Sequence, residues 1–248
     1  MPPSSTRPDP TPGAKMLYLI KRKPTATHEE LVVHWYGNHM SDVIRGQHDL
    51  KAAGKAHAWR YIVTLFDADA SGRHPWDGVA QMWWDFALGR PKRPVGTVPK
   101  DTFQQKAEPH TSWATTEYVV IDGSAQLAAE PLTLNAPYPS TRSGFHKQTV
   151  LVKARDGVDF EAMFGHWLDV HAPNVRETMQ RVGGFAYVVS LSIDPAIEPY
   201  AGMAELYFPD EAGLSRFREE VRPDGFDRWL DPEGTLALPT STEMIGIP

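Results

Sequence analysis

The sequence predicts an α+β fold built from two copies of one strand–helix–strand–strand–helix–strand unit. Three observations carry this prediction. The stretch HWYGNHM at 34–40 is echoed by HWLDVHA at 166–172, each with a His-Trp pair and a second His at one common offset of 132 (34→166, 39→171). The flanks keep the same alignment, with Lys21 falling on Lys153 and Trp35 on Trp167. Each copy also closes on a strand-like run, TSWATTEYVVID at 111–122 and LPTSTEMIGI at 238–247. Repetition of this kind is one supersecondary unit written twice.

The elements follow in order. MLYLIKRKP from residue 16 and QTVLVKARDG from residue 148 each read as a short apolar strand that ends in basic residues and turns into a helix. Thr27 with Glu30 has capping-box spacing, and Asp159 takes the N-cap place in the second copy. Two further strands are predicted in each copy: AWRYIVTLF (58–66) and WDGVAQMWWD (76–85), matched by GFAYVVSLS (184–192) and YAGMAELYFP (200–209). DEAGLSRFREEV (210–221) is the second helix, and its counterpart around 100–108 is shorter. This is the order of the ferredoxin-like (βαββαβ) unit, whose helices cover one sheet face and leave the other bare. The expected architecture is two ferredoxin-like repeats forming an intramolecular α+β barrel, with the bare faces pressed together over a shared chamber. Its expected divisions are a disordered Pro-rich tail (1–14), repeat 1 (15–123), a linker (124–146) and repeat 2 (147–248).

Composition narrows the partners. The 248 residues carry a formal net charge of −6, and no region clusters Lys and Arg enough for a phosphate-binding surface, so nucleic acid is not an expected partner. RPKRP at 90–94 lies in a proline-rich loop. With no Cys, disulfides, thiolate metal sites and a Cys nucleophile are excluded, which fits a reducing cytosol. The opening MPPSSTRPDPTPG has five prolines in twelve residues and no apolar core of a secretory signal. No apolar run approaches the roughly 18 residues of a membrane span. A soluble cytoplasmic protein is expected, either a monomeric pseudo-dimer or a homodimer. The eight Trp suggest a large aromatic core or an apolar ligand cavity.

Helix geometry at about 100° per residue sorts the histidines. Phe160, Met163, Phe164 and Trp167 define an apolar arc that contains His171, whereas His166 falls more than a quarter-turn away. Leu31, Val32 and Trp35 likewise set an arc that holds His39 and not His34. His39 and His171 are therefore expected to face inward, as structural ties to a neighbouring carbonyl or as general acid–base groups at a cavity. Five-residue spacing argues against a metal pair on an ideal helix, so no metal is expected. Strand alternation sends Met203, Glu205 and Tyr207 one way and Ala204, Leu206 and Phe208 the other. The apolar set should lie under the helices, leaving Glu205 and Tyr207 toward the barrel interior with Gln81 and Trp83. Tyr61 and Tyr187 share one repeat position on the second strand, as do Glu117 and Glu243 on the closing strands. A carboxylate in such a chamber would be either a raised-pKa base or part of a salt bridge. No phosphate-binding glycine motif or nucleophile elbow is present, so no nucleotide cofactor is expected.

HWLDVHAP (166–173), after LVKAR and before AGMAELYF, resembles the EthD domain of the dimeric α+β barrel superfamily. HEELVVHWYGNH followed by WDGVAQMWW resembles it less closely, since Met40-Ser41 replaces Ala-Pro and Gln81 stands where the second copy has Glu205. The resemblance implies a barrel of two such units enclosing a cavity for small hydrophobic molecules, with no organic cofactor required. At such a cavity the inward-facing His171 and His39 with Glu205 are the catalytic candidates, and Tyr187, Tyr207, Tyr61, Trp83, Gln81, Glu243 and Glu117, by their strand faces and repeat positions, are substrate-binding candidates. The reactions expected are cyclisation, dehydration, decarboxylation or isomerisation of an aromatic or polyketide-like molecule by general acid–base chemistry. The alternatives are a cofactor-free oxidoreductase or monooxygenase, or a non-catalytic protein that binds a hydrophobic ligand, heme included.

Overall fold

The computed structural model describes residues 7–67, 75–128 and 137–248. It is an α+β fold of ten strands and six helices among these residues. The first repeat contributes β1 (Ala14–Ile20), α1 (His28–His34), α2 (Met40–Ala52), β2 (Arg60–Leu65), β3 (Gly78–Trp84), α3 (Thr102–Lys106) and β4 (Ser112–Ile121). After β5 (Ser140–Arg142), the second contributes β6 (His146–Val152), α4 (Phe160–His166), α5 (Ala172–Val182), β7 (Ala186–Ser192), β8 (Gly202–Phe208), α6 (Glu211–Glu220), β9 (Leu236–Thr240) and β10 (Thr242–Ile247). Each repeat thus has the ferredoxin-like order predicted from sequence, except that the last strand of the second is split in two.

The chain folds into two compact units. One holds the described parts of 1–11, 115–128 and 144–239; the other holds those of 12–114, 129–143 and 240–248. They are called here the His171 unit and the His39 unit. Part of each closing strand pairs with a strand of the other repeat. β4 pairs antiparallel with β7 in the His171 unit, placing Glu117 opposite Ser190. β10 pairs antiparallel with β2 in the His39 unit, placing Glu243 opposite Thr64. The remaining pairs, β7–β8, β8–β6, β2–β3 and β3–β1, are also antiparallel. Residues 1–6 of the expected tail and 129–136 of the expected linker lie outside the described residues. Their described neighbours are held in place. Pro10 bridges Tyr118, the Thr11 N–H donates to the Glu117 carbonyl at 2.8 Å, and β5 pairs with β10.

The helix starts form for the reasons read in the sequence. Thr27 accepts from the Glu30 N–H and Glu30 returns the bond to the Thr27 N–H, while Asp159 accepts from the Ala162 N–H at 3.1 Å. Gly183, in the left-handed region at φ 84°, ends α5. The helices pack on the apolar face of each sheet. In the His171 unit Trp167, Leu168, Met179, Val189, Phe208 and Leu214 are buried together; in the His39 unit Leu31, Trp35, Met40, Val63 and Phe103 are. Each such Leu or Phe contributes on the order of 1.5–3 kcal/mol. Two glycines let the indoles come this close. A Cβ at Gly202 would lie 2.5 Å from the Ser190 carbonyl oxygen and 3.2 Å from the Trp167 ring. At Gly78 it would lie 2.7 Å from the Thr64 carbonyl oxygen and 3.1 Å from the Trp35 ring.

Candidate functional site

Between α4 and α5 the helix does not run on in α geometry. Trp167–His171 form one π turn, closed by the Ala172 N–H donating to the Trp167 carbonyl, and Trp35–His39 form its counterpart, closed by Met40 N–H on Trp35. A π turn spends one extra residue per revolution, so residues five apart come to face the same way. This corrects the ideal-helix reading, in which His166 pointed away from His171. The His171 Nδ1 lies 2.8 Å from Asp224 Oδ2, and the His166 Nε2 lies 3.8 Å from Asp224 Oδ1. Both imidazoles face one carboxylate. The first copy follows only in part: His39 Nδ1 is 2.7 Å from Asp101 Oδ2, while His34 Nδ1 is 3.4 Å from Asn38 Nδ2.

Asp224 is fixed by its own loop. Its Oδ1 accepts the Phe226 N–H at 3.1 Å, and its Oδ2 also accepts Asn174 Nδ2 at 2.8 Å. The loop is tied back to the end of β6 by Arg155 N–H to the Trp229 carbonyl and Asp231 N–H to the Lys153 carbonyl, both at 2.9 Å. Burial alone would raise the Asp224 carboxyl. The hydrogen bonds from His171 and Asn174, the charge interaction with His171 and the Phe226 N–H outweigh it and hold the carboxyl well below the usual carboxylate range. Asp101 is lowered in the same way, burial being opposed by His39 and by the main chain of Gln104, whose N–H it caps at the start of α3. An ionised Asp224 accepts from His171, so the neutral imidazole carries its proton on Nδ1 and presents the Nε2 lone pair. No described residue hydrogen-bonds that Nε2.

His171 lies against a cavity of about 500 Å³ in the His171 unit, whose walls include Val150, Val152, Trp167, Tyr187, Ala204 and Leu206, with Arg222 and Asp227 also lining it. The ring stacks on Phe226 at 4.5 Å between centroids and 21°, and Phe226 in turn meets Trp167 at 4.9 Å. Burial pushes the Tyr187 phenol above its ordinary value, which keeps it a neutral hydroxyl. The His39 unit repeats the plan on a smaller scale. A cavity of about 270 Å³ is lined by His39, Trp35, Tyr61 and Phe103, with His39 at 4.5 Å from Phe103.

These cavities open on the helix-covered face of each sheet, the face of Ala204 and Leu206, and this divides the predicted site residues. His171 comes together with Tyr187, and His39 with Tyr61. Glu205 and Tyr207 point to the opposite face, where Lys147 Nζ bonds Glu205 Oε1 at 2.7 Å and lies 4.7 Å over the Tyr207 ring. Gln81, Trp83, Glu117 and Glu243 share that opposite face in their own units. Gln81 donates to Thr64, Trp83 receives the Lys15 and Arg60 cations, Thr11 donates to Glu117, and Glu243 is buried against Arg142 and Thr64. Glu205 is thus an ion-paired residue and not a neighbour of His171. Asp224, Asp101 and the Asp-x-Phe pattern that carries them were not read from the sequence. They were legible as DTF at 101–103 and DGF at 224–226, but at an offset of 123 (101→224), which the 132-residue alignment hides. Among the described residues no group of three or more His, Asp or Glu side chains is arranged to hold a metal ion, and no helix is long and apolar enough to cross a membrane.

No curated protein matches the chain. Solved structures to which it is similar include an anthrone oxidase-like protein, at 11% identity over 95% of this chain and 92% of that one with a TM-score of 0.49. Others are a heme-binding protein from Thermus thermophilus (11% identity, 96% and 92% covered, TM-score 0.41) and a chlorite dismutase from Candidatus Nitrospira defluvii (8%, 92% and 90%, TM-score 0.45). The EthD domain matches over residues 155–233, a stretch that contains His166, His171, Asp224 and Phe226. That match lies wholly within the second repeat.

Proposed function

We propose that the His171 unit is an acid–base enzyme that acts, without an organic cofactor, on a small hydrophobic aromatic or polyketide-like molecule. One observation carries this reading: an imidazole whose Nδ1 is held by a half-buried, ionised carboxylate 2.8 Å away and which lines an apolar cavity large enough for a fused-ring ligand. Asp224 fixes the ring and its tautomer, and His171 Nε2 takes a proton from carbon beside a carbonyl, or from a phenol. The C–H electrons pass into the ring or onto the carbonyl oxygen as an enolate. The same Nε2–H then returns the proton elsewhere on the substrate: to another carbon in isomerisation, to the departing hydroxyl in dehydration, or to the carbonyl oxygen that the enolate carbon attacks in cyclisation. In decarboxylation the breaking C–CO2 bond supplies the enolate electrons and a protonated Nε2 delivers the proton to carbon. Tyr187 supplies a neutral hydroxyl in the same wall. An electron-rich anion formed here that reacts with O2 would give the oxidoreductase outcome.

The experiment is proton exchange. Anthrone, whose methylene is acidic and flanked by rings, is incubated with the protein in deuterated buffer and followed by NMR. Exchange above the buffer rate, lost in His171→Ala, supports the reading. Exchange at the buffer rate, or undiminished in the variant, overturns it. Oxygen uptake recorded in parallel separates the oxidative outcome from the others.

The same geometry supports a second reading. A histidine whose far nitrogen is held by a carboxylate is well disposed to ligate iron, and His171 Nε2 beside this apolar lining would hold heme. When bound, heme would supply redox chemistry, with His171 as ligand and Asp224 as its orienting partner. A Soret band on hemin titration, abolished in His171→Ala, selects this reading; its absence removes it.

A further inference from the structure

The smaller cavity, in the His39 unit, differs from its counterpart in its polar groups. Trp84 Nε1 and His110 Nδ1 are both buried, both belong to residues that line this cavity, and neither has a hydrogen-bond partner. A buried polar atom left unpaired costs about 1–3 kcal/mol. Two of them on one small cavity point to a ligand that pairs with both. Trp84 Nε1–H can only donate. His110 is kept neutral because burial pushes its imidazole down to about 4, with His39 nearby adding to the effect and a main-chain hydrogen bond at Glu108 opposing it. A neutral imidazole protonated on Nε2 leaves the unpartnered Nδ1 as the lone-pair nitrogen, which accepts. The remaining wall is aromatic and apolar: Tyr18, whose ring meets His110 edge-on at 6.2 Å, with Trp35, Met82 and Phe103.

We propose that this cavity is a second binding site, specific for a small neutral one-ring phenol. The phenol O–H donates to His110 Nδ1, its oxygen accepts from Trp84 Nε1–H, and its ring lies among the aromatic walls. A volume of about 270 Å³ against about 500 Å³ in the other unit suits a smaller ligand, and a one-ring phenol fits within it. A hydroxyl is selected because it is donor and acceptor in one atom. A hydrocarbon would leave both protein groups unpaired, and a phenolate would lose the donor that His110 needs.

The site-resolved test uses the Trp84 indole N–H signal in a 15N-labelled full chain, titrated with 4-fluorophenol and, separately, with fluorobenzene. The phenol is expected to shift that signal saturably and to bind at least tenfold more tightly than fluorobenzene. His110→Phe and Trp84→Phe are each expected to cut the preference several-fold, read by 19F NMR of the ligand, and the double variant to bring it within twofold. Trp84→Phe keeps a ring in place and decides the matter should His110→Phe fail to fold. A Trp84 signal that ignores the phenol, or answers fluorobenzene equally, overturns the proposal, as does a preference untouched by both variants. The Trp84 response is expected to persist in His171→Ala, so failure here and failure of the proton-exchange experiment are separately visible.

Discussion

Replacing Asp224 by Asn tests the organising role of its carboxylate. The carboxylate accepts three hydrogen bonds, from His171 Nδ1 at 2.8 Å, Asn174 Nδ2 at 2.8 Å and the Phe226 N–H at 3.1 Å. An amide of the same shape has one acceptor oxygen, and its NH2 must face donors on the other side. At least one donor loses its partner in a half-buried place, which costs about 1–3 kcal/mol. For a chain of this length that lowers Tm by roughly 2–12 °C. Two readouts go beyond simple loss of stability. The first is pH. The folded carboxyl is depressed, so its contribution is complete above the ordinary value of about 3.9 and is lost as pH falls from there toward the folded value. The stability gap between wild type and Asp224→Asn, from urea titrations, should therefore be flat from pH 7 to about 5 and shrink below about 4. The second is tautomer. 15N NMR should find the neutral His171 ring protonated on Nδ1 in the wild type and a changed tautomer mixture in the variant. Equal stabilities at pH 7, or a gap unchanged down to pH 2, would refute the reasoning.

Further perturbations have expected outcomes of their own. His110 is pushed down to about 4 by burial, so between pH 6.5 and 4 the unfolded chain takes up a proton that the folded one refuses, and stability falls by roughly 3 kcal/mol across that window. In His110→Gln, denaturant titrations should show this component missing. Gly202→Ala and Gly78→Ala, which drive a methyl into a strand carbonyl and an indole, should each cost about 1–3 kcal/mol in chemical denaturation. Glu205→Gln breaks the buried pair with Lys147 and should cost about 3–5 kcal/mol while leaving anthrone exchange intact. An exchange rate lost in a folded Glu205→Gln protein would return this residue to the mechanism.

The fold was legible because its signals are local and written twice. Thr27, Glu30 and Asp159 cap where capping chemistry places them, and the alternation through MAELYF put Ala204, Leu206 and Phe208 under the helices. The site was less legible. One additional residue in a helical turn leaves no trace in a 100° periodicity, so the shared facing of His166 and His171 could not be drawn from an ideal helix. The acceptor Asp224 lies 53 residues from His171 and was hidden by a change of repeat offset. Glu205 drew attention as a carboxylate among apolar neighbours, but its partner Lys147 sits on another strand, and cross-strand pairing is not a local signal. The exchange of β4 and β10 between repeats is likewise set by long-range pairing. Tyr187 and Tyr61 share a repeat position, and each lines a cavity of its own unit on the helix-covered face, not on the bare face where the chamber was expected.

The central claim is that ligand chemistry takes place at the His171–Asp224 pair, on the helix side of the sheet. Side-chain 15N NMR of the histidines during titration with 1-naphthol addresses it most directly. A saturable change at His171 Nε2, absent in Leu206→Trp where the cavity is filled, is the predicted result. Saturable binding that leaves His171 undisturbed and moves the resonances of Tyr207 and Lys147 instead would contradict it.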